Sequence, residues 1–280
     1  MVDESKDIVE LHQSFNHCYS VTDNIGRVKL VPYKALVRGF DGKLHEIIVN
    51  TKGYRDVEHE VIPKTKDRII AFGDSCTFGA FGYTNWPTRL RKLLKNKVEV
   101  INAAIEGTNS IFCIERIMET ENNYKYTIGI VYTGWNDIYG LSYSAVDSLR
   151  NNFSIMKGLI DKVGAKMVLC TLPTQVWEDF EPEHLSTITG NRCIPQTQTP
   201  ITTKNDIMSL SNLIGHFRNI YMEIGMNMNI PVIDLYSHVM GYPIDERVKM
   251  FFDPLHPTDE GHKVISKYIK KELMKLKYLK

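Results

Sequence analysis

The sequence predicts an α/β protein built around a parallel sheet that helices cover on both faces, with a small β-rich appendage before it. Three observations support this prediction. Short, almost continuous apolar runs rich in β-branched residues recur from Arg68 onward, stretches with helical periodicity separate them, and two β-rich runs around an Asp-Gly pair precede them. Strands that are apolar on both sides are typical of a parallel sheet buried between helices.

The N-terminal part has the pattern of a β-hairpin. Two β-rich runs, Val28 to Val37 and Leu44 to Val49, flank Phe40-Asp41-Gly42-Lys43. The Asp-Gly pair supplies the positive φ angles that a tight hairpin turn needs. We therefore expect residues 1–66 to form a β-rich appendage with a helical or irregular start, and residues 67–280 to form the main domain.

The main domain contains five predicted strands and five predicted helices. The strands are Ile69 to Phe72, Val98 to Ile101, Ile128 to Tyr132, Met167 to Thr171 and Val232 to Leu235. The helices carry apolar residues at spacings of three and four. They are Trp86 to Leu94, Ser110 to Asn122, Ala145 to Val163, Asp206 to Met228 and Asp259 to Leu276.

The segment from Pro173 to Thr203 is too long for an ordinary connection between a strand and a helix. It leaves a predicted strand at the carboxyl end, where α/β proteins bind their ligands, so it is a candidate lid or substrate loop. Trp177 and Phe180 are its candidates for apolar contact with a substrate. Its polar composition supports a disordered surface loop equally well.

The charge balance argues against a polyanionic partner. The 280 residues are 43% hydrophobic and 24% charged, and 34 Lys and Arg against 33 Asp and Glu give a net charge of +1. This balance gives no electrostatic support for binding nucleic acid or an anionic surface. A small molecule or a neutral polymer is the expected partner.

The first residues and the cysteines together predict a soluble cytoplasmic protein. MVDESKDIVELHQSF begins acidic and lacks a long apolar run, and no later stretch reaches spanning length, so neither a signal peptide nor a membrane span is predicted. The five cysteines are scattered and form no C-x-x-C pair, which favours reduced, packed thiols. The nine histidines include no H-E-x-x-H pattern, and no metal site is predicted.

The heptapeptide Gly73-Asp74-Ser75-Cys76-Thr77-Phe78-Gly79 follows the first predicted strand directly. Ser75 is thereby placed at the carboxyl end of that strand. A serine here, before a helix N-terminus whose free N–H groups favour developing negative charge, is a candidate nucleophile. A serine is also an ordinary helix cap, and the heptapeptide alone leaves both interpretations open.

The segment Asp253-Pro254-Leu255-His256-Pro257 lies just before the last predicted helix. A serine nucleophile needs a base, and the base needs an acceptor that orients its other ring nitrogen. The two prolines restrict the loop, which could hold Asp253 near Nδ1 of His256 while Nε2 faces Ser75. Alone the pattern is suggestive only, because Asp and His are frequent in surface loops.

Two further polar segments each follow a predicted strand: residues 103–110, which contain Gly107, and residues 132–137, which contain Asn136. Acyl transfer passes through a tetrahedral oxyanion, for which a glycine N–H and an asparagine amide are suitable donors. Taken singly, each is an ordinary turn residue. Four polar segments in this order favour a catalytic site over coincidence.

The sequence resembles the SGNH (GDSL-type) hydrolase family, which has four sequence blocks in a fixed order. The matching segments occur in that order and are GDSCTFG, EGTNS, GWND and DPLHP. The resemblance implies a three-layer α/β/α fold with a flavodoxin-like, parallel five-stranded sheet. It implies a catalytic triad of Ser75, Asp253 and His256, and an oxyanion hole formed by the Ser75 N–H, the Gly107 N–H and the Asn136 side chain. It also implies acyl-enzyme catalysis without a cofactor.

Residues beside these blocks are predicted to be structural. Cys76 is expected to be a packed thiol rather than a second nucleophile. Asp74 and Asp137 are expected to hold loop backbone by hydrogen bonds rather than transfer protons. Trp135 either lines the acyl site or packs beneath it. His262 is expected to be an exposed or capping histidine.

The function predicted from these observations is serine-dependent hydrolysis of a carboxylic ester. The expected substrate is a small-molecule or carbohydrate ester with a short acyl group such as acetyl, and no cofactor is expected. Transfer of the acyl group to an acceptor hydroxyl is an alternative, because it shares the acyl-enzyme and differs only in the deacylating group. A binding module that kept the fold and lost turnover is a third interpretation, against which the complete triad argues.

Overall fold

The computed structural model of the chain describes residues 8–10, 20–22, 28–38, 43–64, 67–80, 84–95, 97–138, 143–184, 193–194 and 199–279. The N-terminal part contributes short strands that form two small sheets. They are β1 (Ile8–Glu10), β2 (Ser20–Thr22), β3 (Val28–Leu30), β4 (Tyr33–Arg38) and β5 (Leu44–Val49). β4 pairs antiparallel with β5 and parallel with β1, while β2 and β3 pair antiparallel with each other.

The predicted hairpin is confirmed in its pairing but not in its first strand. The run Val28 to Val37 is divided into β3 and β4 at Val31 and Pro32, and the two strands belong to different sheets. Pro32 has no backbone N–H to give to a strand ladder, which is the physical reason for the break. The second predicted run coincides with β5, and the Asp-Gly turn lies outside the described residues.

A parallel five-stranded sheet forms the centre of the main domain. Its strands are β6 (Arg68–Gly73), β7 (Glu99–Asn102), β8 (Ile128–Tyr132), β9 (Lys166–Cys170) and, after the short antiparallel pair β10 (Cys193–Ile194) and β11 (Thr199–Pro200), β12 (Val232–Ile233). The order across the sheet is β12-β9-β8-β6-β7, and neighbouring strands run parallel. This is the flavodoxin-like order, so the predicted fold class is confirmed.

Helices cover both faces of this sheet. They are α1 (Ser75–Phe78), α2 (Trp86–Leu93), α3 (Ser110–Asn123), α4 (Trp135–Ile138), α5 (Tyr143–Lys162), α6 (Lys204–Met228), α7 (Leu235–Met240), α8 (Ile244–Met250) and α9 (Asp259–Lys275). α2 packs against α9, whereas α3 packs against α5 and α5 against α6. The three layers follow from apolar strands that are buried on both sides.

The predicted helices and strands are confirmed with small shifts of their ends, except near Asp234. The strand predicted to run from Val232 to Leu235 ends at Ile233, and Leu235 begins the short helix α7. The Asp234 carboxylate accepts the N–H of Ser237 and caps that helix. A cap of this kind overrides the β-preference of the apolar run. The short helices α7 and α8 were absent from the sequence prediction.

The N-terminal appendage lies beside the carboxyl ends of β6 and β7. Its small apolar cluster joins Ile47 and Val49 of β5 to Phe78 of α1 and to Ile105 after β7. The buried Asp56 carboxylate accepts the backbone N–H of Asn102 at 3.0 Å. The appendage therefore contacts the segments that carry the polar motifs, while the division of the chain at residue 66 stays a prediction.

Candidate active site

Ser75 begins the short helix α1 directly after β6. The N-cap of this helix is Asp74, whose side chain accepts the Cys76 N–H at 3.0 Å. The capping interpretation of Ser75 is therefore wrong, because its neighbour fills that role. The Ser75 Oγ lies instead 2.9 Å from Nε2 of His256. A serine hydroxyl within hydrogen-bond reach of an imidazole is the arrangement that activates a nucleophile.

The turn that carries Ser75 is fixed to the neighbouring strands. The Thr77 hydroxyl donates to the Tyr132 carbonyl at 3.0 Å, and the Asn102 side chain donates to the carbonyls of Thr77 and Phe78. Only glycine fits at position 73, because a Cβ there would lie 2.2 Å from the Tyr132 carbonyl oxygen. These contacts attach the turn to both β7 and β8, so its geometry depends on the sheet.

Asp253 organises the loop that carries His256. One carboxylate oxygen accepts the N–H groups of Leu255 and His256 at 2.9 and 2.8 Å, and the other lies 2.6 Å from Nδ1 of His256. Phe252 stacks on the imidazole with ring centroids 5.4 Å apart. With Nδ1 donating to the carboxylate, a neutral imidazole presents Nε2 as an acceptor for the Ser75 hydroxyl.

The charge of His256 is set by opposing effects. Burial, the largest single effect, disfavours the imidazolium, but the Asp253 carboxylate together with Asp74 and Glu106 outweighs it, so the pKa of His256 is raised above its ordinary range. The side chain is 9% exposed. A base in this environment accepts a proton readily and keeps it close to the carboxylate that stabilises it.

Gly107 and Asn136 lie in turns that contact each other. Gly107 has a φ of +69°, and among the described residues no atom beyond its chain neighbours lies within 4 Å of the position that a Cβ would take. The Asn136 amide in α4 donates to the Thr108 carbonyl at 2.7 Å. Because an amide nitrogen carries two hydrogens, Asn136 has a second donor beside this bond. The Ile105 N–H donates to the Gly73 carbonyl at 3.2 Å and joins this turn to the strand before Ser75.

Asp74 and Asp137 act on loop backbone, as the sequence predicts. Asp137 accepts both the N–H and the hydroxyl of Ser110, whose hydroxyl also accepts the Asn152 amide at 2.7 Å. Burial raises the pKa of Asp74 to about 6, against the bond from the Cys76 N–H and the charge of His256. Asp137 thereby joins the turn of Asn136 to the start of α3.

Three flanking residues are buried. Trp135 is 1% exposed and belongs to the main apolar core of the domain. Cys76 is a buried thiol whose pKa burial raises well above its ordinary value, as expected of a packed cysteine. His262 is 1% exposed, so its prediction as an exposed or capping histidine is wrong. Burial in α9 lowers the pKa of His262 to about 3, with further lowering from Arg89, His256 and Arg55.

Part of the segment 173–203, residues 177–180, packs against the short helices α7 and α8. Phe180 is fully buried with the Arg247 guanidinium over its ring, and Asp179 forms an ion pair with Arg247. Trp177 contacts the Tyr236 ring edge-on at 5.6 Å. The prediction that Phe180 contacts substrate is therefore wrong, because its ring is fully buried against α8, whereas the substrate contact of the half-buried Trp177 stays a prediction. Residues 185–192 and 195–198 lie outside the described part of the chain.

Sequence reasoning missed two residues that touch the Asp253–His256 loop. The Thr174 hydroxyl donates to the Pro254 carbonyl at 2.5 Å, and the Gln175 N–H reaches the same oxygen at 3.4 Å. The available signal was positional, since both residues follow β9 at the same sheet edge as Ser75.

The described part of the chain has neither a metal-binding cluster nor a membrane-spanning helix. Across those residues, His, Cys, Asp and Glu side chains form no group of three or more that suits a metal ion. No helix there has the length and apolar character needed to cross a bilayer.

A family model matches most of the main domain. The model of the GDSL-like Lipase/Acylhydrolase family matches residues 71–264, which include Ser75, Gly107, Asn136, Asp253 and His256. The chain belongs to this family. Its members and structural neighbours are esterases and acylhydrolases, and the sequence resemblance to GDSL-type hydrolases is thereby confirmed.

Solved structures of GDSL-type proteins share the fold of this GDSL-family chain. A lipase/acylhydrolase from Enterococcus faecalis is 23% identical, with 74% of this chain and 95% of that chain covered and a TM-score of 0.53. A GDSL-like lipase from Bacteroides thetaiotaomicron is 17% identical, with coverage of 75% and 89% and a TM-score of 0.52. An acetyl xylan esterase is 18% identical, with coverage of 74% and 99% and a TM-score of 0.55. No curated protein sequence matches the chain significantly.

Proposed function

We propose that this protein hydrolyses carboxylic esters through an acyl-enzyme formed on Ser75. The observation that carries the proposal is the continuous hydrogen-bonded chain from the Ser75 Oγ to His256 Nε2 at 2.9 Å and from His256 Nδ1 to Asp253 at 2.6 Å. A nucleophile, a base and an orienting carboxylate in this relation form the arrangement used for acyl transfer on several unrelated folds.

In the proposed reaction His256 accepts the Ser75 proton as the Ser75 Oγ attacks the ester carbonyl. The imidazolium then gives that proton to the leaving alcohol, and the acyl group stays on Ser75. A water molecule loses a proton to His256, attacks the acyl-enzyme and releases the carboxylic acid. Asp253 stays ionised throughout and stabilises the imidazolium, which agrees with the raised pKa of His256.

The oxyanion of each tetrahedral intermediate is proposed to bind the N–H groups of Ser75 and Gly107 and the Asn136 amide. Support comes from the Asn136–Thr108 hydrogen bond, which connects the two donor turns, and from the open Cβ position of Gly107 among the described residues. Donors that are held by neighbouring structure need no reorganisation when negative charge develops on the substrate.

For the substrate we propose an ester with a short acyl group, such as O-acetyl on a carbohydrate. The similarity in fold to an acetyl xylan esterase supports this class. The net charge of +1 also agrees with a neutral substrate better than with a polyanion.

A panel of nitrophenyl esters of increasing acyl length and acetylated sugars tests the proposal, with Ser75→Ala as the control. We expect turnover of short acyl esters, and a loss on the order of a thousandfold or more in Ser75→Ala without loss of fold. Product analysis with an added sugar acceptor separates hydrolysis from acyl transfer. Equal turnover by the wild type and Ser75→Ala, or none by either protein, would contradict the proposal.

A further inference from the structure

The two residues between the acid and the base of the proposed triad have their backbone carbonyls bound by distant side chains. The Pro254 carbonyl accepts the Thr174 hydroxyl at 2.5 Å, and the Leu255 carbonyl accepts the Cys76 thiol at 3.5 Å. Thr174 and Cys76 are both fully buried. One donor follows β9, and the other is the residue next to Ser75 on α1.

We propose that Thr174 and Cys76 are positioning residues that hold the Asp253–His256 loop in register with Ser75. The inference rests on the proposed function, because it assigns these residues to the geometry of the triad. Each donor fixes the loop to a different support: Thr174 to the sheet through β9, and Cys76 to the helix that begins at Ser75. Together they restrain the loop both towards the sheet and towards the nucleophile.

The Thr174 hydroxyl is oriented for this task. Its oxygen accepts the Val176 N–H at 3.1 Å, so its single hydrogen is directed to the Pro254 carbonyl. Proline has no N–H, and this carbonyl is therefore the only backbone group of Pro254 that can form a hydrogen bond. The Gln175 N–H lies 3.4 Å from the same oxygen and is the weaker second donor.

The Cys76 thiol is suited to donate because it stays protonated. Burial, with the Asp74 and Asp253 carboxylates, keeps the pKa of Cys76 well above its ordinary value. A neutral thiol is a weak donor, whereas a thiolate would repel the Leu255 carbonyl. This contact is accordingly expected to contribute less than the one from Thr174.

The decisive variants are Thr174→Val, which removes the hydroxyl at nearly constant volume, and Thr174→Ser, which keeps it. A 1 Å misplacement of a reacting group can cost about a hundredfold in rate, so we expect Thr174→Val to lower kcat by about tenfold to a hundredfold with KM nearly unchanged. The midpoint of the ascending pH limb of kcat/KM should also move down, because a loosened Asp253 stabilises the His256 imidazolium less. Thr174→Ser should stay near the wild type.

Thr171→Val is the matched control. Thr171 is equally buried, follows β9 three residues before Thr174, and donates to Asp234 at 3.0 Å rather than to the triad loop. It should lose thermal stability without the shift in the pH midpoint. Equal losses of kcat in both valine variants, or a wild-type kcat and pH midpoint in Thr174→Val, would overturn the role of Thr174.

Two measurements keep the test decisive if Thr174→Val folds poorly. Cys76→Ala should reproduce the fall of the pH midpoint to a smaller extent, and Cys76→Ser, which keeps a donor, should restore it. The His256 imidazole can also be titrated by NMR without substrate, and its pKa should fall in Thr174→Val and Cys76→Ala. An unchanged pKa in both overturns the proposal, whereas full activity of Ser75→Ala would refute the proposed function instead.

Discussion

His256 is surrounded by negative charge although it is buried. Burial alone would favour the neutral imidazole, but Asp253, Asp74 and Glu106 together raise its pKa above the ordinary value of 6.5. The proposed mechanism needs the neutral form as the base. Activity should therefore rise with pH through a midpoint above 6.5, at a higher pH than an isolated histidine would give.

Asp253→Asn tests the residue that contributes most to this shift. The variant should lower the pH midpoint, because removal of a neighbouring carboxylate destabilises the imidazolium. It should also lower kcat by roughly a thousandfold or more, since the orientation of the imidazole is lost. The pH profile of kcat/KM is the measurement. A wild-type midpoint in this variant would show that Asp253 does not act on His256.

Glu106→Gln also removes a carboxylate that raises the pKa of His256, but one with a smaller effect than Asp253. Glu106 contributes less to the raised pKa than Asp253 and precedes Gly107 in the chain. The pH midpoint should fall slightly while kcat above the midpoint stays close to that of the wild type. A rise of the midpoint would contradict the assigned charge effect.

Asn136→Ala tests the proposed oxyanion donor. Loss of one such donor lowers kcat by roughly a hundredfold to a thousandfold, because the bond forms with charge that is absent from the ground state. Steady-state kinetics with a short acyl ester measure the effect. A change confined to KM would assign Asn136 to substrate binding rather than to stabilisation of the oxyanion.

The α4 turn depends on a glycine that the backbone geometry requires. Gly134 has a φ of +131°, and a Cβ there would lie 1.9 Å from the hydroxyl oxygen of Tyr221, which donates to the Thr133 carbonyl. Gly134→Ala should destabilise the protein by about 2 kcal/mol or more, and kcat should fall because Asn136 moves with the turn. Thermal unfolding and kinetics measure the two effects.

Gly158→Ala is the control for that prediction. Gly158 lies in α5 and is exposed, and in the described part of the chain no atom outside its own helix backbone and chain neighbours lies within 4 Å of the position of a Cβ. Alanine there should raise stability by roughly 0.5–1 kcal/mol, because glycine is the poorer helix former. If both alanine variants behaved alike, the specific role of the Gly134 turn would be refuted.

Most elements could be predicted because their burial leaves a periodic signal. β6 and β8 are buried at every position, and apart from Arg68 at the start of β6 they form uninterrupted apolar runs. The failures have local causes. Pro32 divides a run that is β-rich on either side, and Asp234 starts a helix inside an apolar run. Each failure is caused by a single backbone N–H group, which is missing at Pro32 and is capped by the Asp234 side chain at Ser237. The average composition of a sequence window does not reveal such single hydrogen bonds.

The site could be predicted only where its residues follow strands in recognisable order. Ser75, Gly107 and Asn136 each come after a strand, and Asp253 and His256 are three residues apart. The role of Thr174 could not be predicted from the sequence, because its hydrogen bond with Pro254 joins residues that are 80 positions apart. The burial of His262 was not predicted, because helical periodicity marks apolar positions and does not show that a polar residue is buried.

At the scale of the whole molecule, His262 should make stability depend on pH. Its folded pKa of about 3 lies below the ordinary 6.5, so the unfolded chain binds the proton more readily and stability is lost as pH falls from about 6.5 towards 3. Asp74, whose pKa is raised to about 6, has the opposite effect between about 6 and 3.8. The difference between wild type and a His262 variant isolates the histidine.

The comparison uses the melting temperatures of the wild type and His262→Leu at pH 8 and pH 5. Acidification should lower the melting temperature of the wild type more than that of the variant, whatever the difference between them at pH 8. Parallel changes in both proteins would mean that His262 can take up its proton in the folded state.

Covalent capture of Ser75 is the most direct test of the proposed mechanism. A nitrophenyl dialkyl phosphate forms a stable phosphoryl ester with an activated serine, and peptide mapping by mass spectrometry locates it. We predict one phosphoryl group per chain on Ser75, formed in parallel with loss of esterase activity, and none in Ser75→Ala. Inactivation with the label on another residue, or an active wild type that stays unlabelled, would contradict the assignment of Ser75 as the nucleophile.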